Sequence, residues 1–367
     1  MAYGSVNADK MTTSDGVSSS GLYGFKNRLI NSAMVIDQRN AGASVTPATN
    51  GTYTLDRWNI TFSQASKFSI QQTPSATETG YATRVGAGFT NYLGATVASS
   101  VSVGSGDYFA LQQLIEGLNV SDLAWGTANA KTITLSFWVR SSLTGTFGGA
   151  LSNSAGDRSY PYSYTISSAN TWEQKSVTIA GDTSGTWLTT NGVGMYVRFG
   201  LGAGSTYSGT AGSWAASNYF TATSAVSVVG TGSATFYITG VQLEKGSTAT
   251  SFDYRPYSAE LAMCQRYFCS SFSIGTAPAQ NLGGGMIGKG ANGATAEPIL
   301  CWQFPVSMRA APTVTTYNPS AANNQWSAGT APRVVTSSTS FASIDNTGNP
   351  VTAGTQSYIN ASASIEL

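Results

Sequence analysis

The chain has 367 residues, enough for two domains with real cores. Charged residues are only 10% and the net charge is +1, so no long-range field steers nucleic acid or an anionic membrane toward it. There is no histidine, which removes the usual general base, the usual zinc ligand and every Ser–His or Cys–His pairing at once. Glycine is abundant at 41 residues, while the helix formers Lys, Glu and Gln are scarce, so composition favours strands and turns. Aromatic residues at 11% are enough to fill a core, which sets the chain apart from disordered sequences. An all-β chain is expected. No apolar run approaches 18 residues, so no membrane span is expected. The first residues lack the charged-then-apolar pattern of a signal peptide, so synthesis and folding in a cytoplasm are expected. Cys264, Cys269 and Cys301 are an odd count in a long chain and read as small buried hydrophobes rather than a disulfide framework.

Residues 1–24 are small and polar, with no apolar period, and read as an arm ordered by a partner, with Tyr3, Leu22, Tyr23 and Phe25 as its anchors. From Asn27 the chain becomes β-like. Met34–Asn40 is expected to be a strand running into Gly42. Thr52–Ile60 places Tyr53, Leu55 and Trp58 in alternation, and Asp56–Arg57 is expected to form an ion pair beside the buried Trp58 indole. Residues 107–123 carry helix-like spacing through Leu111, Leu114, Ile115 and Leu118, although a strand fits almost as well. Clear strands follow. Thr132–Arg140 points Ile133, Leu135, Phe137 and Val139 inward, and Tyr160–Ile166, Trp172–Ile179 and Gly194–Leu201 obey the same rule. The stretch from Gly200 to Thr223 is too long for an ordinary connection. It carries Tyr207, Trp214 and Tyr219, either as a binding surface or as a plug over one end of the core.

The stretch Phe236–Gly246 organises the rest. Phe236, Ile238 and Leu243 fall on one side, Tyr237 and Gln242 on the other, and Gly240 breaks the count where a bulge would re-aim the side chains. A turn at Lys245-Gly246-Ser247 leads to a second short extended piece that Pro256 ends. Ser258–Phe268 then shows helical spacing, with Ser258 as a plausible cap. Ile299–Phe304, Thr313–Tyr317, Val334–Ser338 and Ser357–Ser364 read as strands of a second, smaller sandwich. Pro305, Pro312, Pro319 and Pro332 stand at its strand ends. The expected division is an arm at 1–24, a large sandwich at 25–257 and a small one at 258–367.

Several phrases carry a resemblance. TITLSFWVRSS, TWEQKSVTIAG, VRFGLGAG and FYITGVQLEKGS resemble jelly-roll domains related to carbohydrate-binding modules. GVQLEKGSTATSFDYRPYSAELAMCQRYF, FPVSMRAAPTVTTYNPS and NRLINSAMVIDQRNAGAS with YTLDRWNI resemble tailed-phage fibre and appendage proteins. The likeness spans roughly residues 25–320. It implies a virion surface protein, usually a homotrimer, made in the host cytoplasm and bound to other capsid or tail proteins. A compact fibre, spike or capsid decoration fits the missing shaft. A receptor-binding tail-fibre lectin that recognises host surface polysaccharide is the alternative.

Chemistry is read against that background. A glycoside hydrolase usually needs two carboxylates on either side of the bond. The acids here fall singly, at Asp107, Glu116, Asp122, Asp157, Glu173, Asp182 and Glu244, so no catalytic residue, and no enzyme, is expected. Jelly rolls of the resembled kind often hold calcium, but this chain has Thr239-Gly240 where they commonly offer an aspartate, so no metal ligand and no cofactor is assigned. Sugar binding needs an aromatic platform beside planar polar groups, and Trp187, Tyr207, Trp214 and Tyr219 are the candidates.

Overall fold

Apolar side chains turned inward from two facing sheets build the larger sandwich. In the computed structural model, which describes residues 26–74, 88–290, 299–346 and 352–367, the strands in chain order begin with β1 (Tyr53–Leu55), β2 (Trp58–Phe62), β3 (Phe68–Pro74), β4 (Asn91–Val97) and β5 (Tyr108–Glu116). They continue with β6 (Ile133–Ser141), β7 (Gly145–Ser152), β8 (Ser159–Ile166), β9 (Glu173–Ile179), β10 (Val193–Ala203) and β13 (Thr235–Lys245). Two-residue pieces β11 (Ser208–Gly209) and β12 (Thr221–Ala222) pair with each other. One sheet runs β1-β2-β5-β10-β7-β8 and the other β3-β4-β13-β6-β9. The fold is all-β.

The inner faces meet through aromatic rings. Ile133, Leu135, Phe137 and Val139 of β6 are fully buried. Phe137 meets Phe199 of the opposite sheet edge-on at 5.0 Å, and Phe147 stacks near Phe236 at 6.1 Å. Each such ring contributes about 1.5–3 kcal/mol of burial. Gly240 is the bulge in β13: the pairing with β6 slips between Thr239 and Gln242, and φ is +58°. A Cβ there would also sit 2.4 Å from the Phe89 ring, so both backbone and space demand glycine.

Three expected elements come out differently. Residues 34–40 form no strand; they are an irregular segment held by side chains. Asn31 Oδ1 accepts from the Ile36 amide, and the Asp37 carboxylate accepts from the amides of Arg39, Asn40 and Gly42. Such side-chain bonds compete with a ladder and win where the backbone turns, as it does at Met34 (φ 60°) and Ala41 (φ 52°). The helix-like spacing of 107–123 is strand β5 followed by two 3-10 turns. Its apolar residues are buried on both faces, which erases the alternation a half-exposed strand would show. Thr52–Ile60 is not one run but a hairpin, β1 and β2, turning at Arg57 (φ 67°).

That turn also breaks the expected Asp56–Arg57 pair. Asp56 accepts from the Gln38 amide at 2.7 Å and from Gln38 Nε2 at 2.8 Å. Arg57 points the other way. It pairs with Glu366, lies 3.5 Å over the Tyr267 ring and donates to the Leu114 carbonyl at 2.6 Å.

After Lys245 the chain passes without regular structure to Pro256, which opens helix α1 (Tyr257–Gln265). The expected second extended piece is coil, and Ser258 does not cap: the N-cap is Pro256, whose fixed φ suits the position. The smaller sandwich follows, with β14 (Phe268–Ser270), β15 (Ile287–Gly290), β16 (Leu300–Gln303), β17 (Thr313–Tyr317), β18 (Pro332–Ser337), β19 (Phe341–Asn346) and β20 (Gln356–Ser364). β20 takes β14, β15 and β17 as antiparallel partners, and β19 lies between β16 and β18. Trp302, Phe304, Met308 and Trp326 fill its own core. Cys264 and Cys269 are buried as expected, whereas Cys301 is exposed on β16.

Between the sandwiches lies a polar joint. Glu260 accepts from the Asn31 amide, while Arg255, at the end of the large sandwich, ties its own sandwich together through the carbonyls of Asn27 and Leu29. Arg266 forms a bidentate pair with Glu116 at 2.7 and 3.0 Å, and the Tyr267 hydroxyl donates to the same carboxylate at 2.6 Å. Arg39 and Arg57 both reach Glu366. Removing one member of such a pair leaves a buried charge uncompensated. Glu366→Gln is therefore expected to lower the unfolding free energy by about 3–5 kcal/mol in denaturant titration; a loss below about 1 kcal/mol would remove Glu366 from the joint.

Candidate functional site

The loop between β10 and β12 is clipped onto the sandwich. Its glycines and serines leave the backbone free to follow edge strand β8. The Gly212 amide donates to the Pro161 carbonyl at 2.9 Å, Ala215 and Ser159 exchange backbone bonds at 2.8 and 3.0 Å, and Ser159 Oγ donates to the Ser217 carbonyl. The loop thereby covers an edge that would otherwise be open to pairing. Continuing, it crosses the outer face of β5 and β10.

It builds two aromatic groups. In the first, Trp214 meets Trp125 at 5.3 Å and Trp187 at 5.5 Å, both edge-on, while Trp125 and Trp187 meet at 4.7 Å and Tyr160 closes the group at 5.2 Å from Trp214. Each indole N–H is satisfied by a backbone carbonyl: Lys131 for Trp125, Ser184 for Trp187, Ala180 for Trp214. Trp125 and Trp187 are buried, and Trp214 is half-buried at the rim. Arg158 lies 6.0 Å over the Trp214 ring and is held by a bidentate pair with Asp182 at 2.7 and 2.8 Å. A fixed indole beside a fixed guanidinium is the arrangement an aromatic–polar sugar contact requires.

In the second group Tyr207, Tyr108 and Phe220 pack together at 4.6–5.4 Å. Tyr219 lies against Gly209, where a Cβ would fall 2.3 Å from its ring. Under Phe220 lies Arg198, donating to Gln112 Oε1 at 3.1 Å and Asn218 Oδ1 at 2.9 Å.

The four sequence candidates therefore divide. Trp187 and Trp214 share one group, Tyr207 belongs to the other, and Tyr219 lines the loop beside it. Trp125, Tyr160, Arg198 and Asn218 were missed. For Arg198 a signal existed: it is a lone cation in the apolar alternation Met195–Leu201. Trp125 gives none, because it lies outside any strand and is brought to Trp214 only by the fold. The arm residues Tyr3, Leu22, Tyr23 and Phe25 fall outside the described residues.

The carboxylates are occupied. Asp9, Asp15, Glu78 and Glu297 lie outside the described residues, and every other acid accepts hydrogen bonds within the fold. Asp107 takes Ser63, Gln64 and the Gly104 amide; Glu173 takes Lys175 and two amides; Asp345 takes Arg333; Glu244 takes Thr250 and Gln242. For Glu116 burial pushes the carboxyl up, but the bonds from Arg266 and Tyr267 outweigh it and hold it low. Thr239, at the position of the calcium question, donates to the Asn91 carbonyl at 2.7 Å. Among the described residues no three of the Asp, Glu and Cys side chains gather as metal ligands, and no helix is long and apolar enough to cross a membrane.

The class that the fold defines is an all-β chain built on a large jelly-roll sandwich followed by a smaller one. The sequence matches no protein-family model and no curated protein. Among solved structures, it is similar to the enzymatically active domain of tailspike protein 4 of bacteriophage CBA120 (10% identity, TM-score 0.29). That likeness covers 55% of this chain and 22% of the tailspike chain. It is also similar to a family 61 carbohydrate-binding module solved with β-1,4-galactotriose (8% identity, 60% and 99% covered, TM-score 0.28). A third likeness is to the family 11 module of a cellulosomal cellulase of Clostridium thermocellum (12% identity, 57% and 98% covered, TM-score 0.25).

One carboxyl departs upward. Burial pushes Asp56 to about 6, against the pull of Arg39 and the Gln38 bonds. A folded value above the ordinary 3.8 means that protonation favours folding. The contribution is full below about pH 4 and lost as pH rises through 6, on the order of 3 kcal/mol for a shift of this size. The stability difference between wild type and Asp56→Asn is thus expected to move in the variant's favour from pH 4 to pH 7; a pH-independent difference would contradict it.

Proposed function

We propose that this chain is a non-enzymatic subunit of a tailed-phage virion surface appendage, a trimeric fibre, spike or capsid decoration, that touches host-surface glycan through the loop after β10. The observation that carries the reading is the loop itself. It holds Trp214 beside Arg158 at one end, where backbone bonds from Gly212 and Ala215 fix it to edge strand β8, and at the other it packs Phe220 between Tyr207 and Arg198, with Asn218 bonded to Arg198. Preorganised aromatic and planar polar groups on a rigid scaffold suit sugar rings, because little is left to order on binding.

The remaining parts of the proposal rest on other features. The phage-like phrase from Gly240 to Phe268 supplies Gln242, Glu244, Asp253 and Arg255, whose hydrogen bonds close the large sandwich on itself, and Glu260 and Arg266, whose bonds join it to the small one. Its residues serve architecture, which suits a structural subunit. Occupied carboxylates suit one that does not cleave glycan. The division into an arm at 1–24, a large sandwich at 25–257 and a small one at 258–367 belongs to the same proposal, as does attachment of the arm to a virion protein through Tyr3, Leu22, Tyr23 and Phe25.

Two measurements test it. Light scattering on the purified chain should give about three times its 38.0 kDa, the closed three-fold state; a stable monomer at micromolar concentration counts against it. In glycan titration, Trp214→Ala should weaken binding by about 1–3 kcal/mol while the polysaccharide keeps its length. Trp138→Ala, on the far sheet, should instead lower stability and leave the affinity of the folded fraction unchanged. Release of reducing ends by wild-type protein would refute the non-enzymatic reading.

A further inference from the structure

Arg198 is a cation without a counter-ion. Only 5% of it is exposed, and its guanidinium lies between two rings, 4.0 Å from the Phe220 centroid and 4.6 Å from that of Tyr196. Its acceptors are all neutral: Gln112 Oε1, Asn218 Oδ1 and the Tyr219 carbonyl. Among the described residues no carboxylate pairs with it. The other buried arginine of the same sheet, Arg57, has Glu366. Burial lowers Arg198 to about 10, with Tyr196 and Tyr108 pulling it partly back, so it is charged at pH 7. A charge buried without a partner is costly, and in a folded protein it calls for an explanation.

Its geometry supplies one. Nε and Nη1 are engaged, and Nη2 makes no hydrogen bond among the described residues. Nor is Nη2 one of the enclosed, unbonded polar atoms among the described residues, and Arg198 keeps 5% of its surface exposed. The rings and amides fix the guanidinium in place and leave one edge open outward. Asn218 comes from the loop, Gln112 from β5 and Arg198 from β10, so three elements converge on that edge.

We propose that Arg198 is the anion-recognising residue of the glycan site, receiving a carboxylate or phosphate carried by an acidic surface sugar. The inference rests on the glycan reading above and narrows it to acidic polymers. A carboxylate or phosphate oxygen bonding Nη2 provides the missing counter-charge, and a charge-assisted bond of this kind is about twice as strong as a neutral one. The half-buried Tyr196 and Tyr108 beside it offer faces to the sugar ring.

The test is calorimetric titration of the full-length chain with an oligogalacturonate, with its carboxyl-reduced neutral counterpart, and with inorganic phosphate. The expected result is binding of the acidic chain about tenfold tighter than the neutral one. Arg198→Gln should abolish that preference, bringing the acidic and neutral chains to equal affinity. Phosphate binding that is lost in the same variant, without a response to galacturonate, would assign the anion to phosphorylated sugar and still support the inference. Equal binding of acidic and neutral chains overturns it and leaves the glycan reading standing. Binding of neither chain, with phosphate bound only when Arg198 is present, keeps the anion site and overturns the glycan reading. Should Arg198→Gln fail to fold, the acidic-versus-neutral comparison on wild type decides alone, and Asn218→Ala, altered at a half-buried position, replaces it. If the variant instead changes the oligomer mass and no anion binds wild type, the counter-charge belongs to a second copy of the chain and the inference is wrong.

Discussion

Glu366 between Arg39 and Arg57 is the contact on which the arrangement of the molecule depends. Residues from the two ends of the described chain meet there: Arg39 and Arg57 come from the entry to the large sandwich and Glu366 from just beyond the last strand of the small one. Arg57 is 1% exposed, and its ring partner Tyr267 bonds Glu116, which in turn holds Arg266. A chain with 10% charged residues places many of them in this single seam. A buried polar seam need not add stability over an apolar one, because desolvation offsets the Coulomb gain. What it specifies is geometry: the bidentate Arg266–Glu116 pair and the Arg39 and Arg57 contacts to Glu366 are satisfied in one docking of the sandwiches and not in neighbouring ones.

The same logic operates at the loop after β10, with amides and rings in place of charges. β8 is the last strand of its sheet, and the loop closes it by exchanging backbone bonds with Ser159 and Pro161. Closing the edge also places Trp214, Tyr207 and Asn218 on the outer face of the sandwich. One segment thus closes the edge and, in the proposed function, carries the recognition groups. Within it Phe220 is buried, as a plug over the core would be, while Trp214 and Tyr207 are only partly so.

Much of this was legible in the sequence where side chains alternate. β6, β8, β9, β10 and the bulge at Gly240 follow from period-2 patterns and one glycine. The failures have physical causes. β5 is buried on both faces, so Leu111, Leu114 and Ile115 imitate a helix. Met34–Asn40 looks like a strand because Val35 and Ile36 are β-branched, but Asn31 and Asp37 take the backbone amides for themselves. Asp56 and Arg57 are adjacent and opposite in charge, yet a positive φ at Arg57 sends them to different partners. Sequence gave no sign of β7, whose glycines punctuate it like a turn; Gly148 and Gly149 are needed because Thr221 and Tyr162 pack directly on the backbone there, and Gly145 because its φ is +123°. Of the site, the rings were visible and their grouping was not, since Trp125, Trp187 and Trp214 are far apart along the chain.

Hydrogen exchange read by mass spectrometry, on the full chain with and without polysaccharide purified from the host surface, tests the central claim most directly. The account predicts new protection in residues 204–222 and in β10, little change across the small sandwich, and a polysaccharide recovered at its original length. Protection confined to the small sandwich, or a shortened polysaccharide, would contradict it.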